Sequence, residues 1–376
     1  MSWAHARNIL CVRLDCLGDV LMTTPALRAL RESVPGRRLT LLSSPAGAAA
    51  ARLVPEVDDI LEFAAPWMKL PAAGPAADDV MRQSLAARHF DAAVIFTVYS
   101  QNPLPAAYLC YLAGIPLRLA HCHENPYHLL TDWVADPEPA GCVRHEVQRQ
   151  LDLVAAVGCR TTDQGLSFAV PPAARTRIRR RLRGMGVRAG VPLVVVHAGA
   201  SAASRRYPPE QFAAALNILY AGAQCELVFT GSAQEQALIE SIRARLRFPS
   251  HSTAGRLDLP ELGALIERAQ LMVANNTGPV HIAAALGTPV VDLYALTNPQ
   301  HTPWQVASRV LSHDVPCRYC YKSSCPHGHQ NCLRLIAPER VAEAALELLE
   351  PRLPPQAFAH PGAGPGARLQ AFTSRL

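Results

Sequence analysis

The first residues with a spacing suited to chemistry are a Gly-Asp pair. The apolar run ILCVRL at residues 9–14 shows no strict alternation, which is typical of a strand buried on both faces, and a helical pattern follows it. Gly18 and Asp19 are therefore expected at the carboxyl end of a parallel strand, where open α/β sheets bind ligands. The carboxylate could point into that crevice, or it could only cap the helix by accepting free backbone amides. The pair alone does not decide between the two.

A second candidate site begins in the loop HAGASAASRRYPPE. The small residues Gly199, Ala200 and Ser201 come directly after an apolar strand pattern, and Arg205 follows them. The helix after the loop opens with two prolines, which suit a first helical turn. A loop of small residues with a guanidinium group beside a helix N-terminus is suited to holding phosphate.

The next strand pattern ends in FTGSAQEQ. Gly231 and Ser232 form the expected turn, and Glu235 lies early in the helix that follows. Its carboxylate could accept hydrogen bonds from ribose hydroxyls. The loop therefore complements a phosphate site with a contact for a nucleoside.

The segment ANNTGPVHIAAALG is the most informative of the three loops. Asn276, Thr277 and Gly278 lie in a tight turn before a helix that starts at Pro279, and His281 lies in its first turn. Free backbone amides, a hydroxyl and an imidazole thus converge on one spot. Taken alone, His281 would more often be a packing or capping residue. Together the three loops predict a diphosphate site.

Two α/β halves position these loops. Short apolar runs alternate with helical patterns, stop at about residues 165–190, and then restart, which is the rhythm of parallel sheets built from βαβ units. We predict two Rossmann-like domains, at 1–170 and 191–350, and a connecting helix within 171–190. The Pro- and Gly-rich residues 351–376 are expected to form a flexible tail.

Composition narrows the class of protein. The chain has 376 residues, of which 49% are hydrophobic and 18% charged, and it carries a formal charge of +6, as expected of a globular protein. With no apolar run long enough for a membrane span and no signal-peptide pattern, we expect a cytoplasmic location. Seven arginines at 175–188 predict the solvated face of a connecting helix, or a surface that meets anionic lipid or phosphate.

The eleven cysteines divide into two groups. Seven are scattered, mostly within apolar segments, which favours reduced buried thiols over a disulfide framework. The other four have the spacing C-x2-C-x4-C-x6-C, which permits structural zinc or reduced or paired structural thiols. We predict no cofactor. The four clustered residues are Cys317, Cys320, Cys325 and Cys332.

In order and spacing, these motifs resemble those of the family-9 glycosyltransferases, the ADP-heptose:lipopolysaccharide heptosyltransferase group. The resemblance covers about residues 8–350 and includes the late motif PCRYCYKSSCPHGHQNC. It implies a GT-B fold, in which two Rossmann-like domains face a cleft and the nucleotide sugar is held mainly by the C-terminal domain. It also implies metal-independent heptose transfer from ADP-heptose to the lipopolysaccharide inner core, with inversion at the anomeric carbon.

The resemblance also assigns roles to residues. Asp19 matches the family's general base and Arg205 the basic residue, commonly lysine, that contacts the donor's phosphates. Thr277, Gly278 and His281 match the diphosphate turn, and Glu235 aligns less securely as a nucleotide contact. At position 276 this chain has Asn where the family more commonly has Asp. The asparagine keeps a turn-forming oxygen but lacks the negative charge that an aspartate would offer the donor sugar.

The implied partners are a nucleotide-sugar donor and a lipopolysaccharide core acceptor, with peripheral contact with the inner face of the cytoplasmic membrane as an open alternative. There are two competing interpretations. The protein could be a glycosyltransferase of this family that uses another nucleotide sugar or acceptor, or it could be a binding protein without turnover. A nucleic-acid-binding module would use the arginine run and the cysteine cluster but leave both α/β halves without a role. We therefore expect no nucleic-acid partner.

Overall fold

The predicted alternation of buried strands and helices forms two parallel sheets. The structure is a computed structural model that describes residues 2–69 and 74–350, so the tail predicted at 351–376 lies outside the described residues. The two sheets lie within the ranges predicted for the two domains. The boundaries themselves stay a prediction.

The first sheet has six strands, and its β1 is buried at five of six residues, as the apolar run predicted. The elements of this half are β1 (Asn8–Arg13), α1 (Leu17–Ser33), β2 (Arg38–Ser43), α2 (Pro45–Ala51), β3 (Asp59–Glu62), α3 (Pro75–Ala87), β4 (Ala92–Ile95), α4 (Leu104–Leu112), β5 (Leu117–Cys122), β6 (Asp132–Ala135) and α5 (Glu146–Ala155).

The second sheet also has six strands. The elements of this half are α6 (Pro172–Gly184), β7 (Leu193–His197), α7 (Pro209–Ala223), β8 (Glu226–Phe229), α8 (Gln236–Arg243), β9 (His251–Ser252), α9 (Leu259–Arg268), β10 (Leu271–Asn275), α10 (Gly278–Leu286), β11 (Val290–Leu293), β12 (Ser308–Leu311), α11 (Asn331–Arg334) and α12 (Pro338–Leu349).

The two sheets share one topology. Their strand orders are β3-β2-β1-β4-β5-β6 and β12-β11-β10-β7-β8-β9, and all pairings are parallel. Both are the doubly wound order 3-2-1-4-5-6, whose connections reverse direction between the first and fourth strands. Each sheet therefore has one crevice at the carboxyl ends of its strands, between β1 and β4 and between β7 and β10.

Helix α6 carries most of the arginine run and packs through Ala174, Ile178 and Leu182. Arg175 forms an ion pair with Glu267, 2.7 Å apart, and Arg177 binds both Asp258 and Glu261. Two arginines of the run therefore form ion pairs with α9 and with the residue before it. The sequence predicted only a solvated face for this helix.

Two further predictions concern the surface and the thiols. No described helix has both the length and the apolar character needed to cross a membrane. Of the seven scattered cysteines, five are buried as expected, whereas Cys16 and Cys142 are exposed because they lie in connections beyond the sheets.

Candidate active site

One buried guanidinium collects three carboxyl groups at the end of β1. Arg13 is fully buried, and its Nε lies 3.1 Å from an oxygen of Asp15. Its Nη2 lies 3.2 Å from Asp19 and its Nη1 2.9 Å from Glu146, the first residue of α5. Because an unpaired buried charge is very costly, these contacts hold all four side chains in one arrangement.

Asp19 both caps α1 and faces the cleft between the domains. Its Oδ2 accepts the backbone N–H of Cys16 at 3.2 Å, and 18% of its side chain is exposed. Burial alone would raise the pKa of Asp19, but the charge of Arg13 holds that pKa below its ordinary value. The carboxylate is therefore ionised at neutral pH and can accept a proton from a bound hydroxyl.

Asp15 has the opposite protonation tendency. Burial, with the nearby charge of Asp19, raises the pKa of Asp15, although Arg13 and the amide of Gln101 oppose this. The Gln101 Nε2 donates to its Oδ1 at 2.5 Å. Two carboxyl groups on one guanidinium thus have their pKa values displaced in opposite directions, an arrangement found at acid–base sites.

Gly18 lets α10 approach α1 across the cleft. A Cβ at Gly18 would lie 2.7 Å from Cδ2 of His281, and one at Gly278 would lie 3.0 Å from Leu17. The predicted ligand-contacting role of Gly18 stays a prediction, but the structure gives this glycine a packing role. It allows the N-termini of the two helices to meet.

His281 is buried and neutral. Burial, together with His301, lowers the pKa of His281 to about 3, although Asp19 opposes this shift. Its Nδ1 has no hydrogen-bond partner within the described residues. The imidazole thus brings an unsatisfied polar atom, and no positive charge, to the first turn of α10.

His301 belongs to the same cluster and was missed by the sequence analysis. The Asn298 amide lies 2.7 Å from its Nδ1, which leaves the hydrogen on Nε2, 4.0 Å from Glu146. Burial lowers the pKa of His301 to about 4, and Asp19 opposes the shift. No motif pointed to this residue because it lies in the loop between β11 and β12.

Arg205 ends a short 3-10 turn, Ala203–Arg205, after β7. Its Nε is buried and has no hydrogen-bond partner within the described residues, and its charge contributes to the pKa values of His281 and His301. The guanidinium therefore lies near the cluster that contains Asp19. No ion pair joins it to a carboxylate in the part of the chain that the structure describes.

The cysteine-rich segment, residues 317–332, supports the turn that carries Arg205. The Ser204 hydroxyl donates to the carbonyl of Lys322 at 2.7 Å, and the Ser204 N–H donates to that of Ser323 at 3.0 Å. The Gln330 amide donates to Ala203 at 2.8 Å. This segment thus fixes the position of the arginine from outside the sheet.

The thiols of this segment are all free, and Cys317 Sγ lies 3.7 Å from His329 Nε2. Within residues 2–69 and 74–350, no three His, Cys, Asp or Glu side chains are arranged to hold a metal ion. The choice between zinc and metal-free thiols is therefore one for metal analysis of the purified protein.

Glu235 lies over two of the predicted glycines. A Cβ at Gly199 would lie 2.0 Å from its Oε1 and one at Gly231 3.0 Å from its Oε2, which also accepts the Ser232 N–H at 2.8 Å. The carboxylate therefore fills the space between the loop after β7 and the loop after β8. Ala200 is buried and Ser201 is exposed in the first of these loops.

The Asn-Asn-Thr turn at residues 275–277 connects β10 to the loop after β7. Asn275 donates to Ala198 at 2.7 Å and accepts the N–H of Tyr207 at 3.0 Å, which connects β10 to both ends of the arginine loop. Thr277 is the N-cap of α10, and its hydroxyl makes no capping hydrogen bond. That hydroxyl is thus available to a ligand at the helix N-terminus.

Asn276 turns its amide nitrogen inward. It donates to Asp292 at 3.2 Å and to the His301 carbonyl at 3.0 Å. Burial raises the pKa of Asp292 to about 7. In the structure, the amide of Asn276 holds the His301 backbone in place. A donor-sugar contact by Asn276 stays a prediction.

Comparisons with known proteins place the chain among glycosyltransferases. The sequence profile of Glycosyltransferase family 9 (heptosyltransferase) matches residues 80–330. Lipopolysaccharide heptosyltransferase 3 of Escherichia coli is 26% identical over 294 residues, which cover 77% of this chain and 83% of that protein.

Solved structures confirm the fold. E. coli ADP-heptose lps heptosyltransferase II gives a TM-score of 0.71 at 23% identity, covering 91% of this chain and 98% of that one. E. coli heptosyltransferase WaaC with ADP-2-deoxy-2-fluoro heptose gives 0.62 at 17% identity, with the same coverages. The two sheets described above therefore form the expected GT-B fold.

Proposed function

Because the chain belongs to glycosyltransferase family 9, we propose that it transfers a heptose from ADP-heptose to the inner core of lipopolysaccharide, with inversion at the anomeric carbon. One observation carries the proposal: an ionised carboxylate and a guanidinium with no carboxylate partner among the described residues face one cleft from opposite domains. The carboxylate follows β1 and the guanidinium follows β7. An inverting transfer needs a base on one side of the anomeric carbon and stabilisation of the leaving group on the other.

On the acceptor side, Asp19 is the proposed general base. It removes the proton of the acceptor hydroxyl as that oxygen attacks the anomeric carbon. Arg13 keeps the carboxylate ionised and oriented, since it binds one Asp19 oxygen while the Cys16 N–H binds the other. General-base assistance of this kind contributes about 10²- to 10⁴-fold to the rate.

On the donor side, the departing ADP carries its negative charge to Arg205. A guanidinium can grip phosphate oxygens with two parallel hydrogen bonds, and the N-terminus of α10 adds backbone amides and a helix dipole. Glu235 is placed over Gly199 and Gly231, where its carboxylate could accept ribose hydroxyls. Groups that are already oriented toward the charge that develops on a leaving group stabilise it strongly.

The names of the matched relatives support the donor and the acceptor class. E. coli heptosyltransferase WaaC was solved with ADP-2-deoxy-2-fluoro heptose, and the E. coli relative is a lipopolysaccharide heptosyltransferase. Since lipopolysaccharide is a lipid, the proposal includes peripheral contact with the inner membrane surface. Flotation with vesicles that contain a truncated core glycolipid tests that contact.

A panel of nucleotide sugars tests the function itself. ADP or UDP release is followed with each donor, with and without truncated lipopolysaccharide cores, and with and without EDTA. We expect release only with ADP-heptose, only when an acceptor is present, and equally with EDTA. Release with another donor would contradict the assigned sugar, and the absence of release with every donor would favour a binding protein without turnover.

A further inference from the structure

We propose that Glu146 is a positioning residue that links the proposed base, Asp19, to the donor side of the cleft, with His301 as its partner in the other domain. This role rests on the proposed function, because Glu146 acts on the base through Arg13. Two buried polar atoms that face each other carry the proposal, together with the contacts on either side of them.

These two atoms belong to opposite domains. Glu146, the first residue of α5, is fully buried, and its Oε2 has no hydrogen-bond partner among the described residues. The Nε2 of His301 is also buried without a partner there, and it lies 4.0 Å from that oxygen. The Asn298 amide at Nδ1 leaves the hydrogen of the ring on Nε2. A donor thus faces an acceptor, and both are costly to leave unpaired in a buried place.

A small movement is enough to join them. At 4.0 Å, the two atoms are about 1 Å further apart than in a charge-assisted N–H···O⁻ hydrogen bond. The loop that carries His301 already rests on the start of α5, since the Glu146 N–H donates to the Gln300 carbonyl at 3.0 Å. The rings of His145 and Trp304 pack beside this contact, with 4.5 Å between their centroids. A slight rotation of the domains about this contact gives both atoms a partner.

On one side, Glu146 is connected to the proposed base. Its Oε1 lies 2.9 Å from Nη1 of Arg13, whose Nη2 donates to Asp19 at 3.2 Å. Because a guanidinium is planar and rigid, a displacement at Nη1 is passed to Nη2. The Gln150 amide also holds Oε1, at 2.7 Å, which leaves Oε2 as the oxygen that faces the donor domain.

The contact with His301 also bears on the ionisation of Glu146. Burial raises the pKa of Glu146, and the charge of Arg13 opposes this. A hydrogen bond that is donated to a carboxylate favours its ionised form. Donation by His301 therefore strengthens the ion pair between Glu146 and Arg13, and Arg13 in turn orients Asp19.

On the other side, His301 is connected to the proposed diphosphate turn. Its carbonyl accepts the Asn276 amide at 3.0 Å, and Asn276 directly precedes Thr277, the N-cap of α10. A diphosphate bound at this turn would hold Asn276, and with it the loop of His301, in place. An ionised aspartate at position 276 has only acceptors and could not donate this hydrogen bond. The asparagine thus gives this chain a connection from the donor site to the base.

A double-mutant cycle in single-turnover heptose transfer tests the link. Glu146→Gln keeps an oxygen for Arg13 and replaces Oε2 by an amide nitrogen, which cannot accept from His301. His301→Phe keeps a ring and removes the donor. We expect each variant to slow transfer by about 10-fold, the size expected for one hydrogen bond to a charged group. The double variant should also lose about 10-fold, because both substitutions remove the same contact.

The ADP Kd and a cooperative unfolding transition show whether each variant is folded, and we expect the Kd to stay within about 3-fold of wild type. Additive losses, about 100-fold in the double variant, would overturn the inference, as would wild-type transfer in either single variant. Failure of the wild-type protein to transfer from any donor would overturn the proposed function and this role with it.

A conservative variant separates hydrogen bonding from packing. His301→Gln loses the ring but keeps an N–H that can reach Oε2 of Glu146. We expect His301→Gln to transfer within about 3-fold of wild type, and therefore faster than His301→Phe. The reverse order would show that the ring only fills space, and would overturn the inference.

Trp304→Phe is the matched control. The Trp304 Nε1 donates to the Gln164 carbonyl at 2.7 Å, so this variant also removes a hydrogen bond of the same segment, but it leaves Glu146 and His301 in place. We expect wild-type transfer by this variant and no coupling with Glu146→Gln. A loss of about 10-fold in Trp304→Phe would show that any weakening of this segment slows transfer, and would overturn the specific role of the pair.

Discussion

Replacing Arg205 with alanine should weaken ADP binding by about 30-fold. Its Nε is buried without a hydrogen-bond partner, and no carboxylate pairs with it within the described residues. This N–H is therefore free to donate to a ligand. A hydrogen bond to a charged group contributes about 1.5–3 kcal/mol. A loss of about 2 kcal/mol corresponds to about 30-fold in Kd.

Isothermal titration calorimetry with ADP measures this change, and the neighbouring arginine provides the matched control. Arg206 is exposed, and its Nε already donates to the carbonyl of Ala200 at 2.8 Å. Arg206→Ala should therefore change the Kd by less than about 3-fold, as expected for a surface substitution. Wild-type affinity in Arg205→Ala, or an equal loss in both variants, would refute the assignment of Arg205.

Two further predictions concern stability. Gly18→Ala should cost about 1–3 kcal/mol of unfolding free energy in denaturant titrations, because its Cβ would lie 2.7 Å from His281. The double variant Gly18→Ala/His281→Ala should lose less than the sum of the single variants, and additive losses would contradict this contact. Burial raises the pKa of Asp292 to about 7 from an ordinary 3.8, so the folded state binds more protons and stability falls as pH rises between these values. Asp292→Asn should therefore raise the Tm more at pH 8 than at pH 5, and an equal Tm difference at both pH values would contradict it.

The fold was predictable because its signals are local. The apolar run of β1 and the alternation of strands and helices on both sides of α6 follow from residues that are adjacent in the chain. The start of one helix differs from the prediction, and a helix cap explains the difference. Glu235 was expected early in the helix after β8, but α8 begins at Gln236, because Ser232 and Glu235 form a capping box that holds a 3-10 turn before it.

The site was only partly predictable because its charged residues pair with partners that are far away in the sequence. Asp19 and Arg205 lie in recognisable loops, but Arg13 looked like one polar residue inside an apolar strand. Its partner Glu146 is 133 residues away, and His301 lies in a loop with no motif. Sequence spacing cannot reveal that a strand arginine and a distant helix start share one buried ion pair. The inward contact from Asn276 to Asp292 was hidden for the same reason.

The central claim is that Asp19 acts as a base, and Asp19→Asn tests it most directly. The asparagine Oδ1 can still accept the Cys16 N–H, which Asp19 now accepts at 3.2 Å, so the cap is retained while the basic oxygen is lost. Single-turnover heptose transfer should fall by about 10²- to 10⁴-fold. The ADP Kd should stay within about 3-fold of wild type, because the proposed ADP site lies on the other domain. Transfer at nearly the wild-type rate would show that this carboxylate only caps its helix.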